Sequence, residues 1–191
     1  MRIIIGLGNP GKAYQGTRHN IGFEAIDMLC NDLDIKLKPN RRFRAHVGEG
    51  YIGQQPVLLV KPQTFMNLSG QSVQAVLSFY KLPPSDIIVV YDDVSLPVGD
   101  IRVRERGSAG GQKGMVDILA RLKTDEFPRV RIGIGNKPEN RVLSDYVLSR
   151  FAKSEREAML QGVARAGEAV RLILKEDTGA AMNEFNRKLK M

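Results

Sequence analysis

Residues 87–93 (IIVVYDD) constrain the fold more than any other stretch of the chain. Their apolar run is continuous where a half-exposed strand would alternate, so the segment reads as a strand buried on both faces. Such strands belong to parallel sheets covered by helices on each side. The two aspartates that end the run then fall at the strand's carboxyl end, the edge where open α/β sheets gather their functional groups. Residues 2–8 (RIIIGLG) repeat the pattern, a β-branched run stopped by glycines.

The remaining segments fill in the same architecture. Asn20 is placed to cap a helix over 21–33, in which Ile26, Leu29, Cys30 and Leu33 recur at helical spacing. Strands over 43–52 and 56–61 turn at Gly53. Asn67 is placed to open a second helix reaching Tyr80, with an inner stripe of Val73, Val76, Leu77 and Tyr80, and Pro83 and Pro84 stop it. Residues 100–107 alternate Ile101 and Val103 with arginines, a strand with a basic outer face. A glycine-rich loop (107–114) precedes a short helix; a strand over 130–135 and helices near 142–150, 154–175 and 178–189 complete the chain. In the last of these, Ala181, Met182, Phe185 and Leu189 form a stripe suited to covering the core. The prediction is a single α/β domain over residues 1–191, with a mixed, mostly parallel twisted sheet and helices on both faces.

Composition narrows the partners. The 29 lysines and arginines exceed the 21 acidic residues, giving a net charge of +8. The excess concentrates in 36–44 (KLKPNRRFR), with five basic residues and no acid, and in 101–141, with ten basic against five acidic. Solvated surface accounts for most such runs, but a polyanion such as RNA is the partner that this charge favours. A lone cysteine, Cys30, excludes an internal disulfide or a cysteine-rich metal site, and the first apolar run ends at Gly6, too early for a signal peptide or membrane span. The expected location is the cytoplasm.

Gly6, Gly8 and Gly11 (GLGNPG) match the dinucleotide-binding G-x-G-x-x-G, but the context does not. That motif needs a helix opening at the loop so that its N–H groups meet a pyrophosphate, whereas Pro10 lacks an N–H and Gly16 interrupts any helix before residue 20. No serine sits in a G-x-S-x-G elbow, and no H-E-x-x-H or cysteine cluster offers metal ligands. The residues left for chemistry lie after strands or at helix starts: Asn9, His19 and Asn20, Asn67, Asp92 and Asp93, Gln112 and Lys113. An imidazole is a neutral base near pH 7, and a carboxylate on its other nitrogen fixes the tautomer and strengthens the base; Asp92 is the candidate partner for His19. Hydrolysis by a water activated at His19 is the chemistry these residues allow, with the amides of Asn9 and Asn67 holding a carbonyl and its developing oxyanion. A local bond at the helix start is the alternative use of His19, and turn formation that of Asp92 and Asp93.

The stretches GLGNPGKAYQGTRHNIGF (6–23), KPQTFMNLSG (61–70), VVYDDVSLPVG (89–99), RGSAGG (106–111) and FPRVRIGIG (127–135) resemble the bacterial-type peptidyl-tRNA hydrolases in identity, order and spacing. The resemblance implies cleavage of the ester joining a peptide to the 3′ end of tRNA, with His19 as catalytic base, Asp92 stabilising its basic form, and Asn9 sensing a blocked aminoacyl nitrogen. It implies a groove lined by Tyr14, Phe65, Met66 and Asn67 for the peptidyl-adenosine end, phosphate clamps at Arg104 and Arg131, and a monomer with neither metal nor organic cofactor. One departure stands out: the family usually has histidine and asparagine where this chain has Gln112 and Lys113. Glutamine cannot titrate, and lysine brings a point charge, so Lys113 is expected to contact a phosphate or substrate carbonyl, with Gln112 beside it in substrate binding. A non-catalytic RNA-binding member of the same fold is the competing expectation.

Overall fold

The computed structural model describes residues 1–187. A seven-stranded sheet has the order β2-β3-β4-β1-β5-β7-β6. Its strands are β1 (Arg2–Gly6), β2 (Lys38–Asn40), β3 (Ala45–Ile52), β4 (Gln55–Pro62), β5 (Ile87–Asp93), β6 (Ile101–Arg104) and β7 (Arg129–Gly133). β4, β1, β5 and β7 pair in parallel; antiparallel β3 and β6 flank them, and β2 pairs with β3. All seven residues of β5 are buried, as the continuous run requires.

Side-chain alternation divides the core between the two faces of the sheet. On one face Ile4, Val90, Val103, Val130 and Ile132 pack with α1 (Ile21–Leu33), α5 (Arg156–Lys175) and α6 (Thr178–Phe185). On the other, Ile3, Ile5, Val89 and Tyr91 pack with α2 (Ser69–Tyr80) and α3 (Lys113–Leu122). Ala181 and Phe185 of α6 are buried in the first cluster, so that helix covers the core as its stripe predicts; Leu189 of that stripe lies outside the described residues. Beyond α6, the Asn186 amide accepts from the Val103 N–H (2.8 Å) and donates to the Val103 carbonyl (3.0 Å) on β6.

Gly6 and Gly8 of GLGNPG serve packing, whereas Gly11 has open space around it and supplies a positive φ (104°). A Cβ on Gly6 would lie 2.1 Å from the Gly22 carbonyl oxygen, and one on Gly22 would lie 2.5 Å from that of Val90. Helix α1 thus sits against β1 and β5 at backbone distance, and the loop leads only into a single 3-10 turn (Lys12–Tyr14), not the α-helix that a dinucleotide site needs.

Several sequence expectations are corrected. Neither Asn20 nor Asn67 caps a helix through its side chain. A 3-10 turn precedes each helix (Arg18–Asn20 and Met66–Leu68), which spends the first N–H groups and frees both amides for other uses. The strand expected from residue 43 starts at Ala45, because 41–44 form a turn with Arg44 in the left-handed region (φ 47°). β2 had read only as a basic run; Pro39 and Lys38 are the residues that an exposed edge strand tolerates.

Candidate active site

The carboxyl ends of β1 and β5 open into a cleft of about 470 Å³. Asn9 leaves β1 directly. Its backbone N–H donates to Asn20 Oδ1 (2.9 Å), and Asn20 Nδ2 donates back to the Asn9 carbonyl (2.9 Å), so Asn20 braces the loop it had been expected to leave for helix capping. Asn9 Oδ1 accepts from the Met66 N–H (2.7 Å). That contact fixes the amide's orientation and leaves its Nδ2 donor for the cleft.

His19 lies on the turn before α1, buried beside β5. Its Nδ1 is 2.8 Å from Asp92 Oδ2. A carboxylate only accepts, so Nδ1 carries the hydrogen, and in the neutral imidazole the lone pair is then on Nε2. The other Asp92 oxygen, Oδ1, accepts from Gln112 Nε2 (3.0 Å), and Gln112 Oε1 in turn caps α3 by accepting from the Met115 N–H (2.8 Å). Gln112 Nε2 also lies 3.1 Å from Met66 Sδ. Gln112 borders the cleft, but its amide is engaged within the protein. Helix α3, Asp92 and His19 therefore form one continuous hydrogen-bonded series.

The neighbour of His19 anchors the far wall. Arg18 is buried, donates to Glu155 Oε2 (2.7 Å) and the Ile134 carbonyl (2.8 Å), and lies over the Tyr146 and Phe151 rings at 4.7 Å. Burial pushes the Glu155 carboxyl up, but hydrogen bonds from Arg18 and the Ala152 N–H outweigh it and hold the group below its ordinary range. Tyr146 belongs to α4 (Leu143–Val147), whose Leu143 and Val147, with Leu148, line the cleft together with Tyr14 and Phe65. Tyr14 and Phe65 meet edge to face at 6.4 Å between ring centres. Phe65, Leu143 and Leu148 are exposed, an apolar mouth of the kind that marks a binding surface.

Of the residues expected from sequence, Asn9, Tyr14, His19, Phe65, Met66, Asn67, Asp92, Gln112, Lys113 and Arg131 line this cleft. Arg104 does not; it stands behind Arg131 on the sheet face beyond α3, where the ladder pairs Arg102 with Arg131 and Arg104 with Arg129. Burial and the adjacent Arg102 and Arg131 lower the pKa of Arg104, the effect of partial desolvation beside like charges. Arg131 forms an ion pair with Asp93. Gly110 and Gly111 (φ 57° and 82°) expose the backbone of the loop beside Lys113 in a conformation that other residues avoid. The helix expected near 142–150 is α4, but its part in lining the cleft was missed from sequence; the signal for it was the i, i+4 pair Leu143 and Val147.

Cys30 takes no part in the cleft, and burial followed by the Asp27 charge pushes its thiol up to about 11. No helix of the described residues is long and apolar enough to cross a membrane, and none of their His, Cys, Asp and Glu side chains cluster in threes as a metal site would require.

The family model for peptidyl-tRNA hydrolase matches residues 3–191. The chain belongs to that family. Among curated relatives, the peptidyl-tRNA hydrolase of Alkaliphilus oremlandii is 54% identical over 186 residues, 97% of this chain and 100% of the relative. That of Lachnoclostridium phytofermentans is 50% identical over 188 residues, 98% of each chain. The crystal structure of the Acinetobacter baumannii peptidyl-tRNA hydrolase superposes with a TM-score of 0.92 at 35% identity, covering 97% of this chain and 94% of that one. A uridine phosphorylase from Vibrio fischeri shares the fold alone, with a TM-score of 0.56 at 10% identity over 92% of this chain and 91% of that one.

Proposed function

We propose that this peptidyl-tRNA hydrolase cleaves the ester between the peptide and the 3′ end of tRNA with a water deprotonated by His19. The observation that carries the assignment of the base is the 2.8 Å contact between His19 Nδ1 and Asp92 Oδ2, buried at the floor of an open cleft. His19 Nε2 takes a proton from water as the oxygen attacks the ester carbonyl carbon. Asp92 compensates the imidazolium that forms. Asn9 Nδ2, held toward the cleft by the Met66 contact, donates to the carbonyl oxygen as it gains charge. The tetrahedral intermediate collapses by expelling the ribose oxygen of the tRNA, which recovers the proton from His19, and the products are a free peptide carboxylate and intact tRNA.

Gln112 acts in this scheme as a positioning residue, since its bond to Asp92 Oδ1 is compatible only with the carboxylate orientation that serves His19. Its bond to Asp92 supports the catalytic reading over a non-catalytic RNA-binding one. Tyr14, Phe65, Asn67, Leu143 and Leu148, which line the cleft, receive the peptidyl-adenosine end; Lys113 and Arg131 in the cleft and Arg104 outside it meet phosphates. The enzyme works as a cytoplasmic monomer, which sedimentation of the purified protein checks for the oligomeric state.

The test is release of a labelled N-acetyl-aminoacyl group from tRNA, with unblocked aminoacyl-tRNA as control. The parent protein cleaves the blocked substrate selectively, and His19→Ala lowers kcat by about 10²–10⁴-fold while tRNA binding is retained. Tight binding without cleavage by the parent would overturn the proposal.

A further inference from the structure

The run Lys36, Lys38, Arg41, Arg42 and Arg44 has no part in the cleft as described, yet the topology brings it there. β2 runs in the direction of the parallel strands, so its end at Asn40 and the turn 41–44 lie at the carboxyl edge of the sheet, with Ala45 paired to Pro62 at the end of β4. β3 stands two strands from β1 and three from β5, which places the turn roughly 10–15 Å from the strand ends that carry Asn9 and Asp92. The face is shared as well. Arg42 stacks at 4.5 Å on Phe79, and Arg44 bonds to Gln71, both on α2, on the sheet face where Arg102, Arg104 and Arg131 also project.

The turn is built to hold its cations outward. Phe43 is buried against Phe79 and Tyr80, and its N–H donates to Asn40 Oδ1 (3.1 Å), fixing the loop while Arg41, Arg42 and Arg44 remain exposed. None of the five cations forms an ion pair among the described residues. Phe79 is 45% exposed under Arg42, an aromatic and guanidinium pair of the kind on which a nucleobase or ribose rests.

We infer that Lys38, Arg41 and Arg42 form a second phosphate-binding rim, across the cleft from Lys113, Arg131 and Arg104, that holds the backbone of the tRNA whose 3′ end occupies the cleft. The inference rests on the hydrolase reading for its choice of RNA. Cations on both flanks would centre the RNA over His19, a constraint that one flank alone does not supply.

The test compares the parent, Lys38→Ala/Arg41→Ala/Arg42→Ala, and the charge-preserving Arg41→Lys/Arg42→Lys. Each is assayed for tRNA binding across salt concentrations and for cleavage of an N-acetyl-aminoacyl group carried either by full tRNA or by adenosine. For the triple alanine variant, tRNA affinity falls on the order of tenfold and the slope of log K against log salt shrinks by about 2–3, as loss of three phosphate contacts requires. KM for the tRNA substrate rises in proportion, kcat and the adenosine substrate are unaffected, and the lysine variant stays close to the parent. Unchanged tRNA affinity and slope, or equal losses on both substrates, would overturn the rim. Should the parent cleave neither substrate, the hydrolase reading fails by itself and the binding series still decides the rim.

Discussion

Substituting Gln112→Glu separates the two tasks of that side chain. The introduced carboxylate keeps the length and an oxygen to accept the Met115 N–H, so the start of α3 is retained and the helix dipole favours the new charge by about 0.3–1 kcal/mol. What it cannot do when ionised is donate to Asp92 Oδ1, as Gln112 does at 3.0 Å. A hydrogen bond to a charged group contributes roughly 1.5–3 kcal/mol. Its loss, at about 1.4 kcal/mol per decade, lowers kcat by about 10–100-fold, with repulsion between two carboxylates adding to it. KM changes little, because the Gln112 amide is engaged by Asp92 and the start of α3 and the other cleft residues are unchanged. The groups facing the new carboxyl are Asp92, His19, Lys113 and the Asp93–Arg131 pair, and the nearest is the like-charged Asp92, which raises the pKa of the introduced group. The sign follows: a raised folded-state pKa means that stability and the donor bond are present at low pH and lost as pH rises through that value. The activity of the variant relative to the parent therefore increases as pH falls through the raised pKa, since the protonated side chain can donate to Asp92. Steady-state cleavage of N-acetyl-aminoacyl-tRNA between about pH 5.5 and 8, with thermal unfolding at each pH, measures this. A variant with parental kcat, or one that loses as much melting temperature as Gln112→Ala and no more kcat, would refute the link from α3 to His19.

Asp92→Asn should be more damaging than an isosteric change suggests. Asp92 accepts from both His19 and Gln112, and an amide can accept on one side only; kcat falls by about 10²–10⁴-fold, read by the same assay. Gly22→Ala forces a Cβ to within 2.5 Å of the Val90 carbonyl oxygen and 2.6 Å of the Leu7 nitrogen, costing about 1–3 kcal/mol and lowering Tm by roughly 2–12 °C in calorimetry. The depressed Glu155 carboxyl contributes stability above its unfolded pKa that is lost as pH falls through the folded value. Arg18→Gln should therefore reduce stability at neutral pH more than in acid, measured by denaturant unfolding at pH 7 and pH 3.

The order of the central elements was legible because β1 and β5 are buried on both faces and show it as unbroken apolar runs. Cleft residues were legible for a related reason: polar groups next to strand ends in an α/β sheet have one place to converge. Hydrogen-bond partners were not. Asn20 and Asn67 look like helix caps in a linear reading, but the preceding 3-10 turns meet those helices' needs, and Asn20 turns to Asn9 instead. Gln112 looked like a group for the substrate because its partner, Asp92, lies twenty residues away in sequence and becomes adjacent only through the pairing of β5 with the sheet and the packing of α3. A helix near 142–150 was legible, but its share in the cleft was not: Tyr146 and Val147 pack toward the core while Leu143 and Leu148 stay exposed at the mouth, and periodicity does not tell such an exposed apolar residue from ordinary surface.

The outermost strands of the sheet raise a question of solubility. An unpaired strand is a template for another chain, and proteins blunt such edges with short strands, charge, proline or a covering segment. β2 is three residues long and carries Lys38 and Pro39. β6 is four residues long, carries Arg102 and Arg104, and has its Val103 amide and carbonyl occupied by the side chain of Asn186. Lys38 and Arg104, proposed to hold RNA, thus also discourage edge-to-edge aggregation. Neutralising them exposes bare strand edges, whereas exchanging arginine for lysine keeps the protection, and loss of Asn186 would uncover β6 even with every charge in place.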